Sequence, residues 1–426
     1  MKSQKIMKDR MINVIIIFLF HSSTLSFDLR TKYFRSDNEA NGTRFYALDF
    51  LGLIEKHGRK VEWHNVTTED GYILSLFRIP PNPSHLNETV KSRAFYLQPG
   101  LGATADIYIL FGPGRSLAYS LSDAGYDVWI GNVRGTHYSR RHKKYSTDDS
   151  VFWDFSMDDY ALRDLPAMFD YIIATTGQPQ LSYIGHSLGS TLILILLADK
   201  PEYNSKLTVV IHFAPVSYWK TWNLTRLLLA IVASLVKILL PRASEFPIQS
   251  IIPAAIIHYF CLINPITMRI CAIPFEILLG EDREQFDVNE EAVYLFCHYP
   301  AGTSAKVIQH YGQHVLLGNF GHYKQWAIGS NRGAFDETDA AEYNLSNVRA
   351  PTIIFEAPND PIATLENAEN LIKKLPLDLE LRYEIISYKK FNHRDFSSAR
   401  NVEEILYKPM ITILEEPRGF GKRVED

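Results

Sequence analysis

The sequence predicts an α/β fold, a mostly parallel sheet wrapped by helices, with a mainly helical insertion late in the chain. Three observations carry this. Short β-rich runs alternate with longer helical runs over most of the 426 residues, the rhythm of strand–helix–strand units. One of those strands, Leu181–Ile184, runs directly into Gly185-His186-Ser187-Leu188-Gly189. The rhythm then stops between Pro215 and about Asn347 and resumes at Thr352, which marks an insertion after the sixth main strand.

In chain order, strands are expected at Tyr72–Arg78, Ala94–Leu97, Asp127–Gly131, Leu181–Ile184, Val209–Phe213, Thr352–Phe355 and Arg382–Ile386. Each is a short run rich in aromatic and β-branched residues. Helices are expected over Ser116–Ala124, Ser156–Thr175 and Thr191–Ala198, with an amphipathic stretch from Leu365 to Leu375. This divides the chain into residues 27–215 and 348–426 as two parts of one core, and 216–347 as an inserted cap. A length of 426 residues suits one large domain with an insertion rather than several domains.

Gly185-x-Ser187-x-Gly189 is the sequence form of a nucleophile elbow. The serine must stand at the tip of a sharp strand-to-helix turn, and glycines two residues to either side leave room for it. The helix after it aims backbone N–H groups and a positive dipole end at the reacting centre. A nucleophilic serine needs a base, and the base needs an orienter. Pro351-Thr352-Ile353-Ile354-Phe355-Glu356-Ala357-Pro358-Asn359-Asp360 reads as a buried strand with an acid on the following turn. One helix and a strand over Leu381–Tyr388 later comes Phe391-Asn392-His393-Arg394-Asp395. Serine, acid, histidine is the chain order of this architecture, so Ser187 is the expected nucleophile, Asp360 the orienter and His393 the base. Ala94–Leu97 breaks into Gln98-Pro99-Gly100-Leu101-Gly102, a loop whose Leu101 N–H, with that of Leu188, would form an oxyanion hole.

These motifs resemble the acid lipase family of α/β-hydrolases, the gastric and lysosomal acid lipases and their insect relatives. The likeness runs from about Asp49 to Met410. It rests on the elbow, on Thr68–Leu74 with Arg78-Ile79-Pro80, and above all on Asp123–Gly135. Phe152–Ser156, Tyr171-Ile172, Pro300–Ser304 and Asn392-His393 also fit. The resemblance implies the α/β-hydrolase fold, ester hydrolysis of acylglycerols or sterol esters, and the same roles for Ser187, Asp360, His393, Leu101 and Leu188. It also implies a cap disulfide between Cys261 and Cys271, leaving Cys297 as a thiol. One residue departs from the pattern: the family has histidine where this chain has Pro99. Proline lacks an N–H, but the expected donor lies two residues on.

Hydrophobic content of 46% and a formal charge of −4 describe an ordinary globular protein. No basic stripe points to nucleic acid, no Cys/His spacing points to a metal, and no organic cofactor is implied. Lys2, Lys5, Lys8 and Arg10 precede an apolar run from Met11 to Phe20 and small polar residues to Ser26, the pattern of a signal peptide over residues 1–26. The apolar run is too short to span about 30 Å of bilayer. Sequons at Asn41, Asn65, Asn87, Asn223 and Asn344 agree with a secretory route, extracellular or lysosomal, whereas Asn82 is followed by Pro83. Three cysteines allow one internal bridge at most.

The front of the insertion, Arg226–Leu240 and Pro247–Phe260, is strongly apolar. It exceeds what a small cap can bury and predicts a roof or lid that meets lipid. The expected partner is therefore neutral lipid at a lipid–water interface. A carboxylesterase acting on short esters is one alternative, and the apolar cap argues against it. A catalytically inactive lipid-binding protein on the same fold is another, and the presence of serine, acid and histidine argues against that.

Overall fold

The structure, a computed structural model, describes residues 48–85, 93–246, 260–261, 264–288, 291–292, 295, 298–324 and 341–416. The expected signal peptide, the sequons at Asn41 and Asn87, Cys297 and most of Pro247–Phe260 lie outside the described residues. The chain divides into two compact units, Met1–Gly52 and Leu53–Asp426. The sheet and its helices belong to the second.

Eleven strands are present among the described residues: β1 Glu62–Thr67, β2 Tyr72–Ile79, β3 Ala94–Gln98, β4 Asp127–Gly131, β5 Arg141–His142, β6 Leu181–His186, β7 Leu207–Phe213, β8 Glu245–Phe246, β9 Thr303–Ser304, β10 Thr352–Glu356 and β11 Leu381–Ile385. The main sheet runs β1-β2-β4-β3-β6-β7-β10-β11, with β5 paired to β2. From β4 to β11 every pair is parallel, whereas β1 and β2 form an antiparallel hairpin. β3, β4 and β10 are buried along their whole length. Strands covered on both faces read as unbroken apolar runs, which is why the sequence exposed them.

The order reverses between β3 and β6. From β3 the chain goes on to β4 on one side, then crosses back to lay β6 on the other. Such a switch point leaves a crevice at the carboxyl ends of the two strands. The loop after β3 and the elbow after β6 are the two lips of that crevice. Helix Leu188–Asp199 follows the elbow and is buried from Leu188 to Ala198. A helix apolar on all sides must be covered on all sides.

Several expectations are corrected in detail. The hairpin strand β1 escaped notice because only Val66 of its six residues is buried, so it lacks a hydrophobic stripe. The elbow helix starts at Leu188, three residues before the expected Thr191. The expected helix over Ser156–Thr175 contains one widened turn, Tyr160–Asp164, between Met157–Asp159 and Leu165–Thr176. Its breadth places both Tyr160 and Asp164 inside. The last strand stops at Ile385 instead of Tyr388. β10 ends at Glu356, whose carbonyl accepts from Ile386 N at 2.9 Å, and nothing beyond offers a ladder partner.

Between β7 and β10 the chain adds helices Leu224–Leu239, Pro265–Leu279 and Ala305–Leu317. It also forms a small ribbon, β8 against β9, where the sequence suggested no strands. Cys261 and Cys271 are joined by a disulfide.

Arg134, within the Asp123–Gly135 signature, anchors the core to the hairpin. Its guanidinium is buried between Asp164 (Nε–Oδ1 2.8 Å) and Asp70 (2.6 and 3.0 Å), and lies 4.0 Å from the centroid of Tyr72. Arg134 N also donates to Asp164 Oδ2 at 2.9 Å. Removing one partner of a buried pair strands the other charge in a poorly solvating interior. Arg134→Ala should therefore lower stability by about 3–5 kcal/mol, measured by denaturant unfolding. A loss below about 1 kcal/mol would show that the cluster behaves like a surface pair.

Candidate active site

Ser187 is held at φ 55°, ψ −114°, a region that side chains other than glycine avoid. The surroundings enforce it. Ser187 N donates to Phe213 O on β7 at 3.0 Å, and Thr191 N donates to Ser187 O at 3.2 Å. A Cβ on Gly185 would lie 2.5 Å from the Gly189 carbonyl carbon, and one on Gly189 would overlap the Gln98 carbonyl oxygen. The two glycines thus serve space: the helix start presses onto both β6 and the end of β3. Tyr183 Oη donates to Gly189 O at 2.6 Å and fixes the same turn from below.

The loop after β3 comes up against the serine. A Cβ on Gly100 would sit 3.2 Å from Ser187 Cβ, so Leu101 follows immediately beside Ser187. Leu188 opens the helix on the other side. The loop is ordered without the histidine expected from the resemblance. Tyr108 Oη donates to Gln98 O at 2.9 Å, and Tyr96 Oη donates to Gln98 Oε1 at 2.6 Å.

At the far end of the sheet, His393 Nδ1 donates to Asp360 Oδ2 at 2.6 Å, and both side chains are buried. Asp360 Oδ1 accepts from Ile362 N and Ala363 N at 2.7 and 2.9 Å. Three donors for one carboxylate compensate its removal from water. The acid turn is also stitched to the histidine loop, since Asn359 N donates to Phe391 O at 3.0 Å. His393 reaches the elbow through His186, whose Nε2–H donates to the His393 carbonyl at 3.0 Å. The two rings lie 4.9 Å apart. Burial, and then the neighbouring His393, push His186 down to about 3, so it works as a neutral donor. Sequence reading passed over His186 because it occupies a variable position of the Gly-x-Ser-x-Gly pattern.

The inserted segment touches this neighbourhood at three points. Ala301 N donates to Gly102 O at 2.6 Å. Tyr311 Oη lies 3.4 Å from Thr191 Oγ1 on the elbow helix. A Cβ on Gly280 would lie 2.5 Å from Asn392 Cβ, beside His393. Its first helix is rooted next to the acid: Asn223 caps Leu224–Leu239 through Arg226 N at 2.8 Å and donates from Nδ2 to Pro361 O at 2.7 Å. The sequon asparagine at 223 thus commits its amide nitrogen to structure, whereas Asn65 and Asn344 are exposed.

Comparison with known proteins agrees with this geometry. Residues 51–112 match the partial α/β-hydrolase lipase region and residues 93–229 the α/β-hydrolase fold. Lipase 1 of Drosophila melanogaster is 33% identical over 86% of this chain and 80% of its own length. Human gastric triacylglycerol lipase is 34% identical over 88% and 93%, and human lipase member K 33% over 90% and 94%. The chain belongs to the acid lipase family of α/β-hydrolases and is a carboxylic ester hydrolase.

Because Gly189 has no room for a side chain, Gly189→Ala should push the elbow helix off β3. The expected cost is about 1–3 kcal/mol of stability, with a larger fractional loss of ester hydrolysis, read by thermal unfolding beside an activity assay. An alanine variant as active as the parent would mean that the contact with Gln98 is not a constraint.

Proposed function

We propose that this protein is a secreted or lysosomal serine lipase that hydrolyses neutral lipid esters with Ser187, His393 and Asp360. The observation that carries this reading is the buried His393–Asp360 bond of 2.6 Å, with His393 packed on His186, the residue before a serine held at positive φ. His393 takes the proton of Ser187 as its Oγ attacks the ester carbonyl. The alkoxide that forms is stabilised by the N–H groups of Leu101 and Leu188. Collapse breaks the ester bond, and the alcohol leaves with the proton from His393. Water then repeats the cycle on the acyl-enzyme. Asp360 stays ionised and stabilises the imidazolium while fixing its tautomer.

Neutral lipid is favoured as substrate because the human gastric relative is by name a triacylglycerol lipase, and because the insertion over residues 216–347 presents apolar surface as a cap. Leu224, Leu227, Ile231, Leu235 and Ile238 are all exposed on helix Leu224–Leu239, with Ile238 at 74%. Their spacing puts them on one stripe. Ala230, Ala233 and Val236 face inward. Ile266, Ile270 and Ile273 are exposed on the neighbouring helix. A contiguous apolar face of this kind marks a lipid or protein contact, and lipid fits an esterase whose elbow helix and acid turn are touched by the same insertion. The tripartite N-terminal pattern and the exposed sequons support the secretory route.

Ser187→Ala should abolish turnover, by at least about 10⁴-fold, without loss of folding, and His393→Ala should be nearly as severe. Asp360→Asn should retain more. Hydrolysis of a triacylglycerol emulsion and of a short soluble ester reads all three, and substantial turnover by Ser187→Ala would sink the assignment.

The cap makes a separate prediction. Each 100 Å² of apolar surface moved from water to lipid is worth roughly 2.5 kcal/mol. Ile231→Ser with Leu235→Ser should therefore weaken action on emulsions much more than on soluble esters. Equal losses on both would show that the stripe does not meet lipid.

A further inference from the structure

A second carboxyl group stands behind the acid of the triad. Glu356 is the last residue of β10, so Asp360 follows on the turn that this strand leads into. It is 0% exposed, and neither carboxyl oxygen has a hydrogen-bond partner among the described residues. The register shows its company. Ile354 lies opposite His212 on β7 and Tyr383 on β11, and alternation places Glu356 on that same face. His212 Nδ1 and Tyr383 Oη are likewise buried without a partner among the described residues. Gly185 of the elbow is opposite His212, so this polar row begins beneath the nucleophile and ends beneath the acid.

The groups that act on this row are few. Burial first, and then the Asp360 charge, push Glu356 well above the ordinary glutamate range; the nearby Ala357 N–H opposes this without reaching hydrogen-bond geometry. Tyr383 feels Glu356 from β11 and also Glu369 from helix Leu365–Lys374. Burial holds His212 neutral, down to about 3. None of the groups acting on Glu356 is a cation. On the histidine loop, burial pushes Asp395 up to about 7, and Asp360 adds to that.

We propose that Glu356 is a positioning residue: neutral in the working enzyme, it leaves Asp360 as the one charge at the end of β10, and its ionisation at alkaline pH disorders the acid turn and sets the upper pH limit of turnover. The inference rests on the triad reading above. A buried anion without donors is costly, and one beside a second carboxylate more so. A shift of the acid turn that separates the two carboxylates would disturb the Asp360–His393 bond. The folded state holds the Glu356 proton more tightly than the unfolded chain does. Stability from this group is therefore full at acidic pH and is lost as pH rises from the unfolded toward the folded titration. Glutamine at 356 keeps the shape and has no proton to lose.

The test compares the full mature protein with Glu356→Gln, Glu356→Met and Asp395→Asn, each followed in kcat/KM on a short soluble ester and in thermal stability across pH. Glu356→Gln should stay within about threefold of the parent at mildly acidic pH. Its alkaline limb should move upward, retaining about tenfold more activity one pH unit above the parent's limit, with a smaller loss of stability over the same range. Glu356→Met should show the same shift and serves if the glutamine variant does not fold. Superimposed alkaline limbs, or a tenfold loss at acidic pH, would overturn the proposal. So would a shift in Asp395→Asn alone, which would assign the limit to the histidine loop. If the parent hydrolyses no ester at acidic pH, the triad reading fails on its own, and the stability comparison still decides the role of Glu356.

Discussion

The site depends on a backbone that cannot relax. Ser187 keeps a positive φ because β7 holds its N–H and the helix start is wedged between β6 and the end of β3. That wedge determines which loops meet the serine. The Gln98 carbonyl, pressed by Gly189, belongs to the strand whose next residues are Pro99, Gly100 and Leu101. One close approach therefore fixes both the turn at Ser187 and the placement of the loop facing it. Strain at such a residue persists only where the rest of the structure over-determines it, and here strands β3, β6 and β7 all contribute.

The parts of this arrangement that were legible in the sequence share a physical cause. β3, β4, β6, β7 and β10 are buried on both faces and so appear as apolar runs, and the elbow glycines appear because nothing else fits. The order of serine, acid and histidine follows from the order of the strands that carry them. What stayed hidden depends on pairing in space. Arg134, Asp70 and Asp164 look like ordinary charges until the fold buries them together. His186 is conspicuous only through the carbonyl it meets. Glu356 lay one residue past the expected strand Thr352–Phe355, and a single polar letter at a strand end says nothing of what lies beside it. β1 was missed because its outer face is polar and its inner face contributes one residue.

Carboxyl groups in this protein show how partners, rather than residue type, decide behaviour. Asp360 gathers an imidazole N–H and two backbone N–H groups in a buried place. Asp70 has two arginines and a threonine hydroxyl. Glu356 has no such donors, and Asp395 gets a hydrogen bond only from Asn392 N on one oxygen. The two arginines beside Asp70 hold its carboxyl well below the ordinary range, whereas burial pushes Glu356 and Asp395 up.

The insertion is attached unevenly, and this has a consequence for how such a protein can change over time. Its root is woven into the acid turn: Asn223 holds Pro361, Thr221 pairs with Thr364 at 2.9 Å, and Asn367 accepts from the Lys220 backbone at 2.7 Å. The outer stripe of the helix that starts there supports nothing else in the described structure. Mutations along the stripe therefore change exposed surface without touching the hydrogen bonds at the root. A change at the root reaches Asp360 within a few residues. Descendants of this chain are free to vary along that outer face, while the point at which the insertion joins the sheet stays fixed.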